Sequence, residues 1–198
     1  MNVLQCLQHA QVLGLPRLEA QLLLLHALGR PLHDRAWLLA HDTDEVQADQ
    51  VDALKSYTQR RLLHEPVAYI VGQKEFFGLT LHIDKRVLDP RDDTEVLVGW
   101  ALACGQSFKS TRYLDLGTGS GAIALALQSQ HSDAQVTAVD ASTDALNVAK
   151  YNAQNLALDV RFLQSDWFSQ VTGEFEVIVS NPPYIEAQDP HLANLQHE

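Results

Sequence analysis

Residues 113–127 read YLDLGTGSGAIALAL. A short apolar run reaches Asp115 and Leu116. Gly117, Gly119 and Gly121 follow, and a helical pattern begins at once. Glycines at this spacing let the chain turn sharply and let a ligand approach bare backbone. A strand that turns directly into a helix is the opening move of a nucleotide-binding α/β unit, with the ligand at the helix N-terminus.

The flanking segments extend that pattern. Val96–Leu102 is helical, Tyr113–Leu116 a strand and Ala122–Leu127 a helix. Val136–Val139 is a strand, Ala145–Ala153 a helix, and Val160–Leu163 and Phe175–Val179 are strands. Alternation of this kind specifies a parallel sheet with helices on its faces. Residues 1–74 have a different grammar. Val3, Leu4, Leu7, Ala10 and Leu13 recur at helical spacing and Gly14 closes the helix. Pro16 opens a second helix whose apolar face is Leu18, Leu22, Leu25 and Leu28, ending at Gly29. A turn carries Trp37, Leu38 and Leu39. Asp42 and Glu45 resemble a capping box for a longer helix through Val51, Leu54, Tyr57 and Leu62, which Pro66 stops. This half holds no catalytic cluster and reads as a small helical bundle or a partner-recognition module. Residues 75–84, EFFGLTLHID, turn at Gly78 and read as a hairpin joining the halves.

Charge divides the same way. The 198 residues carry 14 basic and 25 acidic side chains, a formal net charge of −11. Residues 1–74 hold 7 basic and 8 acidic groups, and residues 75–198 hold 7 and 17. An acidic balance of this size argues against generic binding to nucleic acid or anionic membrane, both of which need a basic surface. Cys6 and Cys104 have no partner at metal spacing and are expected to be buried free thiols. No metal site is expected. The amino terminus has no basic start, long apolar centre or cleavage site, and Leu22–Leu28 is too short to span a bilayer. A cytoplasmic location is expected.

The glycine segment is G-x-G-x-G, with an acid two residues before the first glycine. An acid there repels a pyrophosphate and suits an ammonium group, which favours S-adenosylmethionine over a dinucleotide. Asp140 ends the next strand, 19 residues after Gly121, where an acid can accept from both ribose hydroxyls. It can also cap the following helix. After the third strand come Ser165, Asp166, Trp167 and Phe168. These offer an acceptor for an adenine amino group and an aromatic wall, unless Trp167 is plain core.

Asn181-Pro182-Pro183-Tyr184 directly follows the last strand. The prolines end the ladder and leave a rigid loop at the carboxyl edge of the sheet. The Asn181 side-chain oxygen and the Pro182 carbonyl can hold the two N–H bonds of a planar –NH2 group. Its lone pair is then aimed at a methyl donor, and Tyr184 packs against the planar group. Positioning and electrostatics carry such a transfer without a separate base.

With both motifs in place, the chain resembles the class I S-adenosylmethionine-dependent methyltransferases with an N-P-P-Y motif, and more closely the release-factor glutamine methyltransferases. The resemblance runs through PRLEAQLLLLHALGR (16–30), EPVAYIVGQKEFFGL (65–79), DPRDDTE (89–95), DLGTGSGAIALAL (115–127), SDWF (165–168) and SNPPYIEAQDPHL (180–192). It implies a Rossmann-like α/β methyltransferase domain over residues 89–198. A helical substrate-recognition domain (1–74) and a hairpin linker (75–88) precede it. It implies S-adenosylmethionine at Gly117, Thr118, Gly119, Ser120, Gly121, Asp140, Trp167 and Asn181, with Asn181, Pro182, Pro183 and Tyr184 cradling the glutamine amide of a Gly-Gly-Gln loop. The partner would be a peptide-chain release factor acting in translation termination, and the enzyme a monomer. Where the family has I-P-R-P-D/E-T-E, Asp89 replaces the Ile and Asp92 the second Pro. The family sheet has seven strands, and four are visible up to Glu198, so an incomplete sheet and a C-terminal truncation are expected. The alternatives are modification of a glutamine in a large-subunit ribosomal protein, of an exocyclic amino group of a nucleic-acid base, or binding without turnover.

Overall fold

The computed structural model describes residues 1–182. The chain divides into two compact units, one spanning Met1–Val71 and the other beginning at Gly72.

The first unit is helical: α1 (Val3–Val12), α2 (Arg17–Ala27), α3 (Arg35–Ala40), α4 (Ala48–Leu62) and α5 (Val67–Val71). Asn2 and Gln5 cap α1 reciprocally, Gln5 N donating to Asn2 Oδ1 at 2.8 Å and Asn2 N to Gln5 Oε1 at 3.0 Å. Helix α2 packs against α1, α3, α4 and α5. Its inward residues are therefore Ala20, Leu23, Leu24 and Leu25, while Leu18 is exposed. The expected leucine stripe is thus corrected: a helix with neighbours on several sides buries more than one face. Each fully buried leucine contributes about 1.5–3 kcal/mol over an exposed one. Arg61 on α4 grips Glu19 on α2 through Nε–Oε2 (2.8 Å) and Nη2–Oε1 (3.1 Å).

Two further expectations change here. Asp42 and Glu45 do not cap α4, because their segment pairs with the N-terminus. Leu4 N donates to Asp42 O, Asn2 bridges Glu45, and Val46 N donates to Met1 O. The cap falls at Gln47, whose amide donates to Gln50 Oε1 at 3.1 Å. Pro66 does follow the end of α4, but it also opens α5, its carbonyl accepting from Tyr69 and Ile70.

The second unit starts with an antiparallel hairpin, β1 (Gln73–Phe76) and β2 (Leu79–His82). It begins two residues earlier than the sequence pattern suggests. Then come α6 (Thr94–Gly105), β3 (Arg112–Leu116), α7 (Ala122–Gln130), β4 (Gln135–Asp140), α8 (Thr143–Leu156), β5 (Arg161–Gln164) and β6 (Val177–Ser180). The last four strands form a parallel sheet in the order β5-β4-β3-β6. Leu114, Leu116 and Val139 form a core on it with Leu163, Val171 and Phe175. Cys6 is buried, but Cys104 is exposed, because it lies on the outer side of α6. Among the described residues no helix is long and apolar enough to cross a membrane.

Candidate functional site

The sheet reverses direction of growth at β3. The chain builds outward through β4 and β5, then returns to place β6 on the other side of β3. Ligands in open α/β sheets bind outside the carboxyl ends of the strands at such a switch point. Register brings the sequence motifs to that edge. Leu116 pairs with Val139 on one side and Ser180 on the other, and Asp140 pairs with Gln164. Gly117, Asp140, Ser165 and Asn181 therefore leave the sheet side by side, about 4.8 Å per strand.

The glycine turn is built as its sequence requires. Gly117, Gly119 and Gly121 have φ of 73°, 55° and 84°, the left-handed region that other residues rarely adopt. A Cβ on Gly117 or Gly119 would meet nothing within 4 Å, so the turn leaves open space above it. A Cβ on Gly121 would stand 3.1 Å from Ala149 Cβ, so this glycine lets α8 come close. The Gly117 and Thr118 amides both donate to Val139 O at 2.9 Å.

Beneath the turn, Asp115 is fully buried. The Thr118 hydroxyl donates to its Oδ2 at 2.6 Å, while Oδ1 is buried with no hydrogen-bond partner among the described residues. Burial pushes this carboxyl up to about 6, against the pull of the Thr118 bond, and the nearby Asp140 charge adds to the rise. An orphaned carboxylate oxygen below an open turn fits a cationic group of a ligand.

Asp140 uses both oxygens on backbone amides: Gly119 N to Oδ2 and Ser142 N to Oδ1, each at 2.9 Å. It does not cap α8. That role belongs to Ser142, whose hydroxyl accepts from Ala145 N at 3.2 Å. Each Asp140 oxygen keeps a further lone pair for a ligand hydroxyl. Trp167 is 53% exposed, so it is not core, and Phe168 beside it is 55% exposed. The Ser165 hydroxyl donates to Trp167 O at 2.7 Å and holds this bend, in which Trp167 has φ of 49°.

Asn181 follows β6, and its Nδ2 donates to the Thr94 hydroxyl at 3.2 Å. Its Oδ1 is then the amide atom left to accept. Pro182 is exposed next to it; Pro183 and Tyr184 lie outside the described residues. Thr94 was not singled out in the sequence, although it sits in the DPRDDTE segment. Its neighbour Glu95 accepts from Phe77 N of the hairpin turn at 2.7 Å, and Asp92 pairs with Lys74 at 3.0 Å. Asn152 was also missed, and its signal was a polar residue on the apolar face of α8.

Residues 94–197 match the methyltransferase small domain, and residues 2–72 match the PrmC N-terminal domain. The chain is 50% identical over 182 residues to the release factor glutamine methyltransferase of Bordetella pertussis, covering 91% of this chain and 66% of that one. It is 46% identical over 179 residues to the enzyme of the same name from Escherichia coli, covering 89% and 63%. It therefore spans less than two thirds of the length of these relatives. Among solved structures, the Pyrococcus abyssi tRNA (uracil-54, C5)-methyltransferase aligns at a TM-score of 0.48 with 16% identity, over 56% of this chain and 28% of that one. The glycine turn, the switch-point sheet and the two domain matches agree: the chain belongs to the methyltransferase small domain family, with a segment matching the PrmC N-terminal domain ahead of it.

Proposed function

We propose that this protein transfers a methyl group from S-adenosylmethionine to the side-chain amide nitrogen of a glutamine, the one in the Gly-Gly-Gln motif of peptide-chain release factors. The observation that carries the reading is the Asn181 side chain, set one strand from an open glycine turn with its Nδ2 engaged by Thr94. Its Oδ1 is an acceptor for one substrate N–H, and the Pro182 carbonyl is the second. The substrate class is supported by the names of the relatives.

S-adenosylmethionine supplies a methyl group already activated on a sulfonium. The chain's residues do the rest. The turn from Gly117 through Thr118, Gly119 and Ser120 to Gly121 offers bare backbone to the methionine part. Asp115 takes the ammonium group. Asp140 accepts from the ribose hydroxyls, while Trp167 walls the adenine and Asp166 offers an acceptor for its amino group. Two acceptors on the substrate –NH2, with Pro183 and Tyr184 completing the loop, hold the nitrogen so that its lone pair faces the methyl carbon. The same acceptors stabilise the positive charge that develops on that nitrogen, whose proton then leaves readily. The helical unit, Met1–Val71, binds the body of the release factor, and the hairpin links the two functional parts. The enzyme acts as a monomer in the cytoplasm, on a protein rather than on nucleic acid.

Incubating the chain with S-adenosylmethionine and an intact release factor tests the reading. Peptide mass spectrometry should locate one added methyl group on the Gly-Gly-Gln glutamine. Cofactor binding with methyl transfer to some other residue type would overturn the substrate assignment. The absence of any cofactor binding would overturn the reading as a whole.

A further inference from the structure

Asn152 lies on α8 among Ala145, Leu146, Val148, Ala149 and Ala153, the face that packs inward, and is 1% exposed. A buried amide on such a face is costly unless its polar atoms are satisfied. Here they are satisfied in a pattern that joins three elements. Asn152 Oδ1 accepts from His82 N at 2.7 Å, and its Nδ2 donates to His82 O at 3.0 Å. The side chain thus pairs with the last residue of β2 as a neighbouring strand would. Its Nδ2 also donates to Ser120 O at 3.0 Å, inside the glycine turn.

The turn is gripped from two sides. Asp140 Oδ2 takes the amide of Gly119, and Asn152 takes the carbonyl of Ser120. Between those two bonds lies the peptide group that joins Gly119 to Ser120, so its plane is set by both neighbours. One helical turn before Asn152, Ala149 packs where a Cβ on Gly121 would fall. Glycine at three positions makes this turn cheap to deform. A side-chain bond to its carbonyl removes that freedom before a ligand arrives, which lowers the ordering cost of binding.

We infer that Asn152 is a positioning residue for the cofactor turn: it keys the Ser120 carbonyl to the end of the β1–β2 hairpin, making the hairpin a brace of the cofactor site. The inference rests on the cofactor reading of the glycine turn given above.

The test uses the whole chain with Asn152→Asp and Asn152→Ala, and Leu146→Ala as a control buried on the same helix. The aspartate keeps the acceptor for His82 N and loses both Nδ2 donations. Two readouts are taken: calorimetric affinity for S-adenosylhomocysteine, and amide hydrogen exchange across residues 117–121 relative to β3. Both Asn152 variants should bind about 10-fold more weakly and exchange selectively faster in the turn. Leu146→Ala should lose thermal stability with an unchanged affinity and no selective change in the turn. Unchanged affinity and turn exchange in the Asn152 variants would overturn the inference. So would selective loosening of the turn by Leu146→Ala to the same degree. If the Asn152 variants do not fold, the unmodified protein decides. A coupling across the hydrogen bond from the Asn152 side-chain N–H to the Ser120 carbonyl, with a protected side-chain amide, is expected, and its absence overturns the tie. Failure of the unmodified chain to bind S-adenosylhomocysteine would count against the cofactor reading instead, while the exchange readout still judges the brace.

Discussion

Asn181 donates its side-chain N–H to the Thr94 hydroxyl, 3.2 Å away, across 87 residues of sequence. The bond fixes which end of the amide is spent inside the protein and which is left to accept from a substrate. Asn181→Ala should therefore lower turnover by roughly 100-fold or more at saturating cofactor, the scale of losing one preorganised hydrogen bond in a desolvated site. Thr94→Val should cost about 3- to 10-fold, the scale of one ordinary hydrogen bond, and Thr94→Ser should restore most of it. Steady-state rates on an intact release factor check this. Full activity in the alanine variant would sink the proposed role of Asn181.

Asp140 both ties the turn, through Gly119 N and Ser142 N, and stands where ribose hydroxyls are expected. Asp140→Ala should weaken cofactor affinity by roughly 1–3 kcal/mol, the range of charge-assisted hydrogen bonds. Calorimetry with S-adenosylmethionine measures it, and an equal dissociation constant removes Asp140 from the site. NADH should not compete in the same titration. Clear competition would return the turn to the dinucleotide class.

The buried carboxyl of Asp115 predicts a pH dependence with a definite sign. Its folded value is raised from an ordinary 3.8 to about 6. The folded protein thus holds this proton more tightly than the unfolded chain. The associated stability is fully present below pH 3.8 and is lost as pH rises through about 6. The full loss is about 3 kcal/mol, from the difference between the two values. Asp115→Asn should flatten this contribution between pH 4 and 7 in denaturant titrations, relative to the unmodified chain. An ammonium group needs the ionised form, so cofactor affinity should climb from pH 5 to 7, with protons released on binding at the lower end. Affinity that is flat over this range would separate Asp115 from the ammonium.

The α/β alternation and both motifs were legible because strand and helix periods differ and because glycine and proline leave few backbone options. The positions of Gly117, Asp140, Ser165 and Asn181 at one edge follow from that alternation alone. Tertiary contacts decided the rest. The inward face of α2 could not be read from Leu18 and Leu22, since several neighbours bury Ala20, Leu23 and Leu24 as well. Asp42 and Glu45 look like a cap, but Met1 and Asn2 recruit that segment by long-range backbone pairing. Trp167 reads as an adenine wall in sequence with core packing as the alternative, and the left-handed bend beside Ser165 leaves it exposed. Thr94 and Asn152 act across large sequence separations, where local periodicity carries no information.

The division of labour between the two units gives a last prediction. The helical unit has its own core, built around Leu23, Leu24, Leu25, Leu38 and Leu54. In the proposed function this unit holds the body of the release factor, away from the reacting glutamine. Binding energy from such remote contacts lowers the cost of positioning the reacting group, so a substrate lacking them loses turnover as well as affinity. Short Gly-Gly-Gln peptides should therefore be much poorer substrates than an intact release factor, with both kcat and kcat/KM reduced. A substitution on the helical surface, such as the exposed Leu63→Asp, should raise KM for the whole factor and leave the peptide rate unchanged. Equal kcat/KM for peptide and protein would assign the helical unit another role.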